Sequence, residues 1–141
     1  MLHPTPTARL ILRHWRDEDF PAFARMNADP RVMEYFPAPL SLSESAAFFD
    51  RILSEFETEG FVLYDGPLYG RGEIGWRLRP EMWGNGYATE AARSCLRYAG
   101  LSKIESIISF TALNNLRSQR VMQRLGMARL QEFDHPALPT G

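Results

Sequence analysis

The sequence predicts an α/β fold, because segments with strand character alternate along it with segments of helical character. Its 141 residues are a usual length for one domain. Hydrophobic residues make up 45% and charged residues 23%, an ordinary mixture for a globular chain with one buried core. We therefore expect a single domain over residues 1–141, in which helices pack on a sheet.

The predicted strands are short apolar runs bounded by turn residues. They cover residues 9–13, 61–64, 73–78, 107–111 and 127–133. A helical segment or a glycine-rich turn separates each run from the next, as expected for a layered arrangement of helices on a sheet.

The first predicted helices are marked by their start signals. One follows the acidic residues 17–19, and a short one opens at Asp29-Pro30 and runs to residue 36. A longer helix opens at Ser41, with Glu44 at the spacing of a capping box, and closes at Gly60.

Two further helices are predicted in the second half of the chain. Residues 88–99 carry apolar residues at helical period, and the face they form consists mostly of small residues. Cys95 lies on that face, so we interpret it as a core residue. A last helix begins at Asn115 and closes at Gly126.

Charge and cysteine content exclude several classes of function. Sixteen basic and seventeen acidic side chains give a net charge of −1, which argues against a nucleic-acid partner. A single cysteine allows no intrachain disulfide, so a reducing, cytoplasmic location is expected. No apolar run approaches the ~20 residues of a membrane helix, and the N-terminus lacks the pattern of a signal peptide. No membrane association is expected.

The central motif is a strand, then Gly84-x-Gly86, then a helix. Glycines let several backbone N–H groups face one anion, and a helix N-terminus adds its positive end. This pattern favours a phosphate or pyrophosphate site, although a plain tight turn would look the same. The loop lacks the Lys-Ser/Thr of a Walker motif and the third glycine of a dinucleotide fingerprint, so ATPase and dehydrogenase functions are disfavoured.

A second motif surrounds the start of the last helix. Asn115 caps helices in any protein, and Ser118 one turn later is usually a solvated residue. Arg117, Arg120 and Arg124 suit a solvent-facing helix surface. Taken by themselves, these residues leave a purely structural interpretation open.

Together, the two motifs resemble the signature blocks of the GNAT N-acetyltransferases. Residues 83–91 read Trp-Gly-Asn-Gly-Tyr-Ala-Thr-Glu-Ala, and residues 115–127 read Asn-x-x-Ser-x-x-Val-Met-x-x-Leu-Gly-Met. The opening at residues 9–19 and the Glu-Ile-Gly-Trp run at residues 73–76 resemble the RimJ/RimL-type branch of that family. The blocks follow the family order through residues 9–127.

The resemblance implies a GNAT fold, which is a central twisted mixed sheet, largely antiparallel, flanked by helices in three αβα layers. It implies acetyl-CoA as cofactor and an amine acceptor, either a peptide N-terminus or a small amine, with direct attack in a ternary complex. It implies no metal, and a homodimer is common in this branch. Acceptor selectivity is expected in residues 19–56.

The resemblance also implies which residues hold acetyl-CoA. Backbone N–H groups of the Gly84–Gly86 loop would bind the pyrophosphate, and Asn115 the pantetheine arm. Basic residues, including Arg79, are candidates for the ribose phosphate. The expected cofactor-binding residues are Trp76, Arg77, Leu78, Trp83, Gly84, Asn85, Gly86, Tyr87, Ala88, Thr89, Asn115, Ser118, Arg120 and Arg124.

The chemistry requires a base for the amine, a donor for the carbonyl oxygen and a proton for the leaving thiolate. Glu73 is the expected base, directly or through water, unless it is only a solvated strand carboxylate. Asp134-His135 is an alternative base. Met122 occupies the position of the tyrosine that serves the thiolate in many relatives, so Ser118 is expected to lie near the sulfur instead.

The chain is shorter than the family's usual domain, which predicts missing segments near residues 65–72, near residues 99–101 and after residue 141. Two alternative functions remain. One is a non-catalytic CoA-binding or regulatory module on the same fold. The other is an unrelated phosphate-binding domain that uses only the glycine loop and does not prefer acetyl-CoA over ATP.

Overall fold

Helices and strands alternate in the protein, as the sequence predicts. The computed structural model describes residues 6–59, 72–101 and 106–129. None of the helices in these residues is long and apolar enough to cross a membrane. The elements are α1 (Phe20–Ala28), α2 (Leu42–Glu59), β1 (Gly72–Glu73), α3 (Tyr87–Leu101), β2 (Ile107–Ile108) and α4 (Leu116–Arg124), with 3-10 turns at Asp17–Asp19 and Pro80–Met82.

The start of α2 confirms the predicted capping box. The backbone N–H of Ser41 donates to Glu44 Oε1 at 2.9 Å, and the N–H of Glu44 donates to Ser41 Oγ at 3.2 Å. The hydrogen bond from the Ser41 backbone lowers the pKa of Glu44. The helix runs to Glu59, and its predicted end, Gly60, lies outside the described residues.

An aromatic cluster joins α1 to α2. Phe23 and Phe49 are buried, with their ring centroids 5.5 Å apart, and Trp15 packs edge-on against both. A polar pair lies in the same interface, where Asn27 Nδ2 donates to Ser45 Oγ at 3.2 Å and both residues are fully buried. The helical spacing of the apolar residues predicts the buried aromatic rings, but it does not predict the buried Asn27–Ser45 pair.

The small-residue face of α3 is buried, as predicted. Ala92 and Ala99 are 5% and 6% exposed, and Ile108 of β2 is also buried. Cys95 is half-buried on this helix, and its burial raises the pKa of the thiol. The cysteine is therefore a protonated packing residue and not a nucleophile at neutral pH.

The two described strands pair in parallel, with Gly72 opposite Ile107 and Glu73 opposite Ile108. One further backbone hydrogen bond, from Ile74 N–H to Ile108 O at 2.9 Å, is the last contact of this pairing within the described residues. The predicted strands 73–78 and 107–111 are thus too long, and their parallel pairing is compatible with the mixed sheet that was expected. Beyond this bond, the side chains of Trp76 and Arg77 are bonded to residues of α4 and α1, as described below.

The predicted strand at residues 9–13 is wrong. Thr7 and Leu10 form a turn, in which the Thr7 N–H donates to Leu10 O at 2.9 Å and the Leu10 N–H donates to Thr7 Oγ1 at 3.0 Å. The backbone N–H of Arg9 bonds to the carboxylate of Glu90 at 3.1 Å. This segment is consequently bonded to a helix end instead of a neighbouring strand.

The predicted short helix at residues 29–36 is also wrong. The segment is a series of turns, with Val32 N–H donating to Asp29 O at 3.1 Å and Phe36 N–H donating to Met33 O at 3.1 Å. Pro37 then disfavours helical geometry at the residue before it. The turns still bury Met33, which is 4% exposed.

Two predicted strands are tested only in part or not at all. Residues 127–129 are not a strand, because Gly126 adopts a φ of 80° and the Met127 N–H folds back to Met122 O at 3.1 Å to cap α4. Residues 130–133 and the strand expected at 61–64 lie outside the described residues.

Candidate active site

The glycine loop before α3 adopts a conformation that requires glycine. Gly84 and Gly86 each have a φ of 79°, in the left-handed region. The indole Nε1 of Trp83 donates to Leu78 O at 3.0 Å, and the Asn85 side-chain amide donates to Met82 O and to Trp83 O at 3.2 Å each. These bonds hold the loop rigidly at the helix N-terminus.

The first turn of α3 leaves donors available for a ligand. The first N–H of the helix with a backbone acceptor is that of Glu90, 3.1 Å from Gly86 O. The preceding N–H groups, of residues 87–89, therefore have no acceptor in the helix. Thr89 is 8% exposed, and within the described part of the chain its Oγ1 has no hydrogen-bond partner. A buried hydroxyl beside free helix N–H groups is the arrangement expected for an anion site.

A cavity of about 410 Å³ adjoins this helix end. Its residues are three arginines, one carboxylate, one glycine of the loop and the unpartnered threonine, namely Arg9, Arg93, Arg124, Glu90, Gly86 and Thr89. The Arg93 Nη2 also donates to Arg124 O at 3.1 Å, which ties α3 to the end of α4. Three cations against one carboxylate give the cavity a positive charge, which suits a phosphate-rich ligand.

Glu90 is neutralised by the N-terminal segment. Its carboxylate accepts hydrogen bonds from Thr7 Oγ1, from the Arg9 N–H at 3.1 Å and from Arg9 Nε at 2.8 Å, and we call this group (Thr7, Arg9 and Glu90) the N-terminal clasp. The bond from Thr7, followed by the bonds from Arg9, lowers the pKa of Glu90. Arg9 Nη2 also donates to Asn85 O at 2.9 Å, so the clasp holds the glycine loop as well.

A second group of site residues lies where β1 and β2 separate. Trp76 Nε1 donates to Ser118 Oγ at 2.9 Å, which links the run after β1 to α4. Asn115 caps α4, since its side chain accepts from the Ser118 N–H at 3.3 Å. Among the described residues, the backbone N–H groups of residues 76–78 have no acceptor. The site therefore presents backbone donors, a hydroxyl and an amide at one place.

Several expected cofactor residues have other contacts. The Arg77 side chain donates to Asn27 Oδ1 at 2.6 Å, toward α1 and away from the glycine loop. Arg79 pairs with Glu81 at 2.9 Å. Arg120 is exposed and does not line the cavity.

Arg9 and Arg93 line the cavity but are not among the site residues predicted from the sequence. Arg93 had a usable signal, because it lies one helical turn after Thr89 and so shares its face of α3. Arg9 had none, since its place in the site depends on a contact 81 residues away.

The proposed bases are only partly described. Glu73 lies in β1, opposite Ile108, and the structure describes its backbone alone. Asp134 and His135 lie outside the described residues. The role of each stays a prediction from the sequence.

Comparison with known proteins identifies the family. A family described as "Acetyltransferase (GNAT) domain" matches residues 9–128, which is most of the chain. The chain belongs to the GNAT acetyltransferases. The expected α/β GNAT fold and the expected enzyme class are thereby confirmed, and GNAT acetyltransferases generally use acetyl-CoA.

Individual relatives agree with this assignment. The uncharacterized N-acetyltransferase YnaD of Bacillus subtilis (strain 168) is 30% identical over 150 residues, covering 96% of this chain and 88% of that protein. The FsC-acetyl coenzyme A-N(2)-transacetylase of Aspergillus fumigatus is 39% identical over 67 residues, 45% of this chain and 27% of that protein. The crystal structure of the acetyltransferase from Agrobacterium tumefaciens str. C58 has a TM-score of 0.79 and 26% identity, covering 89% of this chain and 84% of that one.

Proposed function

We propose that this GNAT acetyltransferase transfers the acetyl group of acetyl-CoA to a primary amine, on a protein N-terminus or a small molecule, by direct attack in a ternary complex. The observation that carries the proposal is Thr89, whose buried hydroxyl lacks a partner in the described residues and lies beside the free N–H groups of α3. An unsatisfied buried hydroxyl is costly unless a ligand completes it. A phosphate oxygen is the acceptor that fits this position.

The positive cavity supports the same ligand. In our proposal the N–H groups of residues 87–89 and the Thr89 hydroxyl hold the pyrophosphate, while Arg93 and Arg124 meet the remaining phosphate charge. Arg120 lies one helical turn before Arg124 on α4 and is proposed as an outer contact. The N-terminal clasp keeps the Glu90 carboxylate from repelling these phosphates.

The group at the separation of β1 and β2 is proposed as the reaction centre. Acetyl-CoA, when bound, supplies an activated thioester. The free N–H groups of residues 76–78 would stabilise charge on the carbonyl oxygen. Trp76 donates to a lone pair of Ser118 Oγ, so the hydroxyl hydrogen would remain available to donate to the leaving thiolate. The Asn115 amide would contact the pantetheine arm, and Glu73 would take the proton from the amine, directly or through water.

Calorimetric titration of the full chain with acetyl-CoA, with ATP as the comparison ligand, tests the cofactor. We expect micromolar binding of acetyl-CoA and none of ATP. Arg93→Gln should weaken acetyl-CoA binding about tenfold, by loss of a charge-assisted contact. Arg97→Gln is the matched control, because Arg97 is exposed one turn later on the same helix and does not line the cavity. Equal binding of both ligands, or equal effects of the two variants, would refute the proposed site.

Steady-state kinetics test the reaction centre. Ser118→Ala should lower kcat about 100-fold with little change in acetyl-CoA affinity, because it removes a hydrogen-bond donor to the charge that develops on the leaving thiolate. Glu73→Gln should lower kcat, because the amide cannot accept the proton of the attacking amine. Ser43→Ala, in an exposed position on α2, is the control for serine removal. Full activity in both site variants would exclude the roles proposed for them.

We propose the branch of the family, the domain extent, the cellular location and the assembly of this enzyme from sequence features alone. The runs at residues 9–19 and 73–76 support the RimJ/RimL-type branch, and the length supports one domain over residues 1–141. The single cysteine supports a cytoplasmic location. A homodimer is the proposed assembly, which light scattering on the purified chain would test.

A further inference from the structure

Arg77 is a partly buried arginine with no carboxylate partner among the described residues. Its Nη1 donates to the Oδ1 of Asn27 at 2.6 Å, and Asn27 is itself fully buried and neutral. A guanidinium removed from water is costly unless an anion compensates its charge. Burial lowers the pKa of Arg77, in agreement with this uncompensated state.

Two aromatic rings leave the donors of Arg77 available. The guanidinium carbon lies 4.5 Å from the ring centroid of Phe36 and 5.5 Å from that of Phe48. A planar guanidinium that contacts ring faces keeps the N–H donors at its edge free, and among the described residues only Asn27 accepts a hydrogen bond from one of them. Phe36 is 43% exposed and Arg77 is only partly buried, so the contact between them lies near the protein surface.

The position of Arg77 in the chain connects it to the proposed reaction centre. Trp76 bonds to Ser118 of α4, whereas Arg77 bonds to Asn27 of α1. The two side chains thus reach different helices, α4 and α1, from adjacent positions in the chain. The backbone between them carries the N–H groups proposed to hold the carbonyl oxygen.

We propose that Arg77 binds a carboxylate of the acceptor, so that the preferred acceptors are amines that also carry a carboxylate. Arginine presents a fork of donors that matches a carboxylate in two parallel hydrogen bonds. The inference rests on the proposed acetyl transfer, since it names the acceptor class of that reaction. It assigns a specificity role to the Arg77 side chain, while the backbone N–H of Arg77 keeps the role proposed above.

The test is calorimetric binding to the protein saturated with CoA, which needs no turnover. The probes are α-amino acids and linear amino acids of increasing length, each paired with its carboxamide. We expect at least one acid to bind about tenfold more tightly than its amide, the effect of a charge-assisted hydrogen bond. If no acid binds more tightly than its amide, the inference is overturned.

Two variants separate this role from a structural one. Arg77→Met should abolish the preference for acids. Asn27→Asp gives the guanidinium an internal carboxylate and should abolish it too, while the thermal unfolding temperature stays at or above that of the wild type. A preference for acids that survives in both variants would overturn the inference.

The experiment also distinguishes this inference from the proposed function. Failure to bind acetyl-CoA in the separate titration would refute the proposed function. Normal acetyl-CoA binding together with equal binding of acids and amides would refute only the role of Arg77.

Discussion

Replacement of Thr89 by valine should change stability and ligand affinity in opposite directions. The two side chains have nearly the same shape and helix propensity, so the change removes only the hydroxyl. The hydroxyl is buried without a partner in the described residues, which costs about 1–3 kcal/mol. Thr89→Val should therefore raise the free energy of unfolding by about 1 kcal/mol in the absence of ligand.

The same change should weaken acetyl-CoA binding by about ten to a hundredfold, the value of a hydrogen bond to a charged group. Denaturant unfolding measures the first effect and calorimetric titration the second. Thr89→Ser is the control, because it keeps the hydroxyl and loses only a methyl group, so it should bind acetyl-CoA normally and be about 0.8 kcal/mol less stable. A destabilised Thr89→Val that binds acetyl-CoA like the wild type would refute the reasoning.

Three further predictions concern the cap of α4, the glycine loop and the ion pair of Asp19 before α1. Asn115→Ala should lower the free energy of unfolding by about 1 kcal/mol through loss of the α4 cap, and Asn115→Asp should not, as denaturant titration would show. Gly86→Ala should lower the free energy of unfolding by about 1–2 kcal/mol in the same assay, because φ at this position is 79°. The added Cβ would lie 3.6 Å from Arg9 Nη2, so steric conflict adds little. An unchanged stability would contradict the argument from the backbone conformation. Two hydrogen bonds lower the pKa of Asp19 from 3.8 to about 2. The larger effect comes from the Arg13 side chain and the smaller one from the backbone N–H of residue 16. The contribution of Asp19 to stability is thus complete above pH 3.8 and is lost as the pH falls toward 2; acid unfolding of Asp19→Asn should lack this pH dependence.

Local sequence signals predicted α1 to α4 and the glycine loop well, although they also predicted a helix at residues 29–36 that is a series of turns. Ser41 and Glu44 are three residues apart, and their reciprocal bonds depend on that spacing alone. The small face of α3 follows from helical period, and Ala92 and Ala99 are buried as that period requires. The left-handed φ values of Gly84 and Gly86 are likewise a local property of glycine in a tight turn.

Contacts between distant segments were not predictable in this way. The turn at Thr7 and Leu10 joins residues only three apart. The strand predicted at residues 9–13 is absent because this segment bonds to Glu90, which is distant in the sequence. The Arg77–Asn27 bond joins residues 50 apart, and neither residue has a periodic signal that marks the other. Buried polar pairs of this kind are chosen by tertiary packing, which a single sequence does not reveal.

The N-terminal clasp makes the site late to form during folding. Thr7 and Arg9 are 83 and 81 residues from Glu90 along the chain, whereas Asn27 and Ser45 in the α1–α2 pair are only 18 apart. Contacts of large sequence separation carry the greater loop-closure cost and form slowly. During synthesis on a ribosome, Thr7 and Arg9 cannot form these bonds until Glu90 has emerged. Until the clasp has closed, the Glu90 carboxylate lacks its Thr7 and Arg9 partners, so the cavity attracts phosphates less strongly than it does in the finished enzyme.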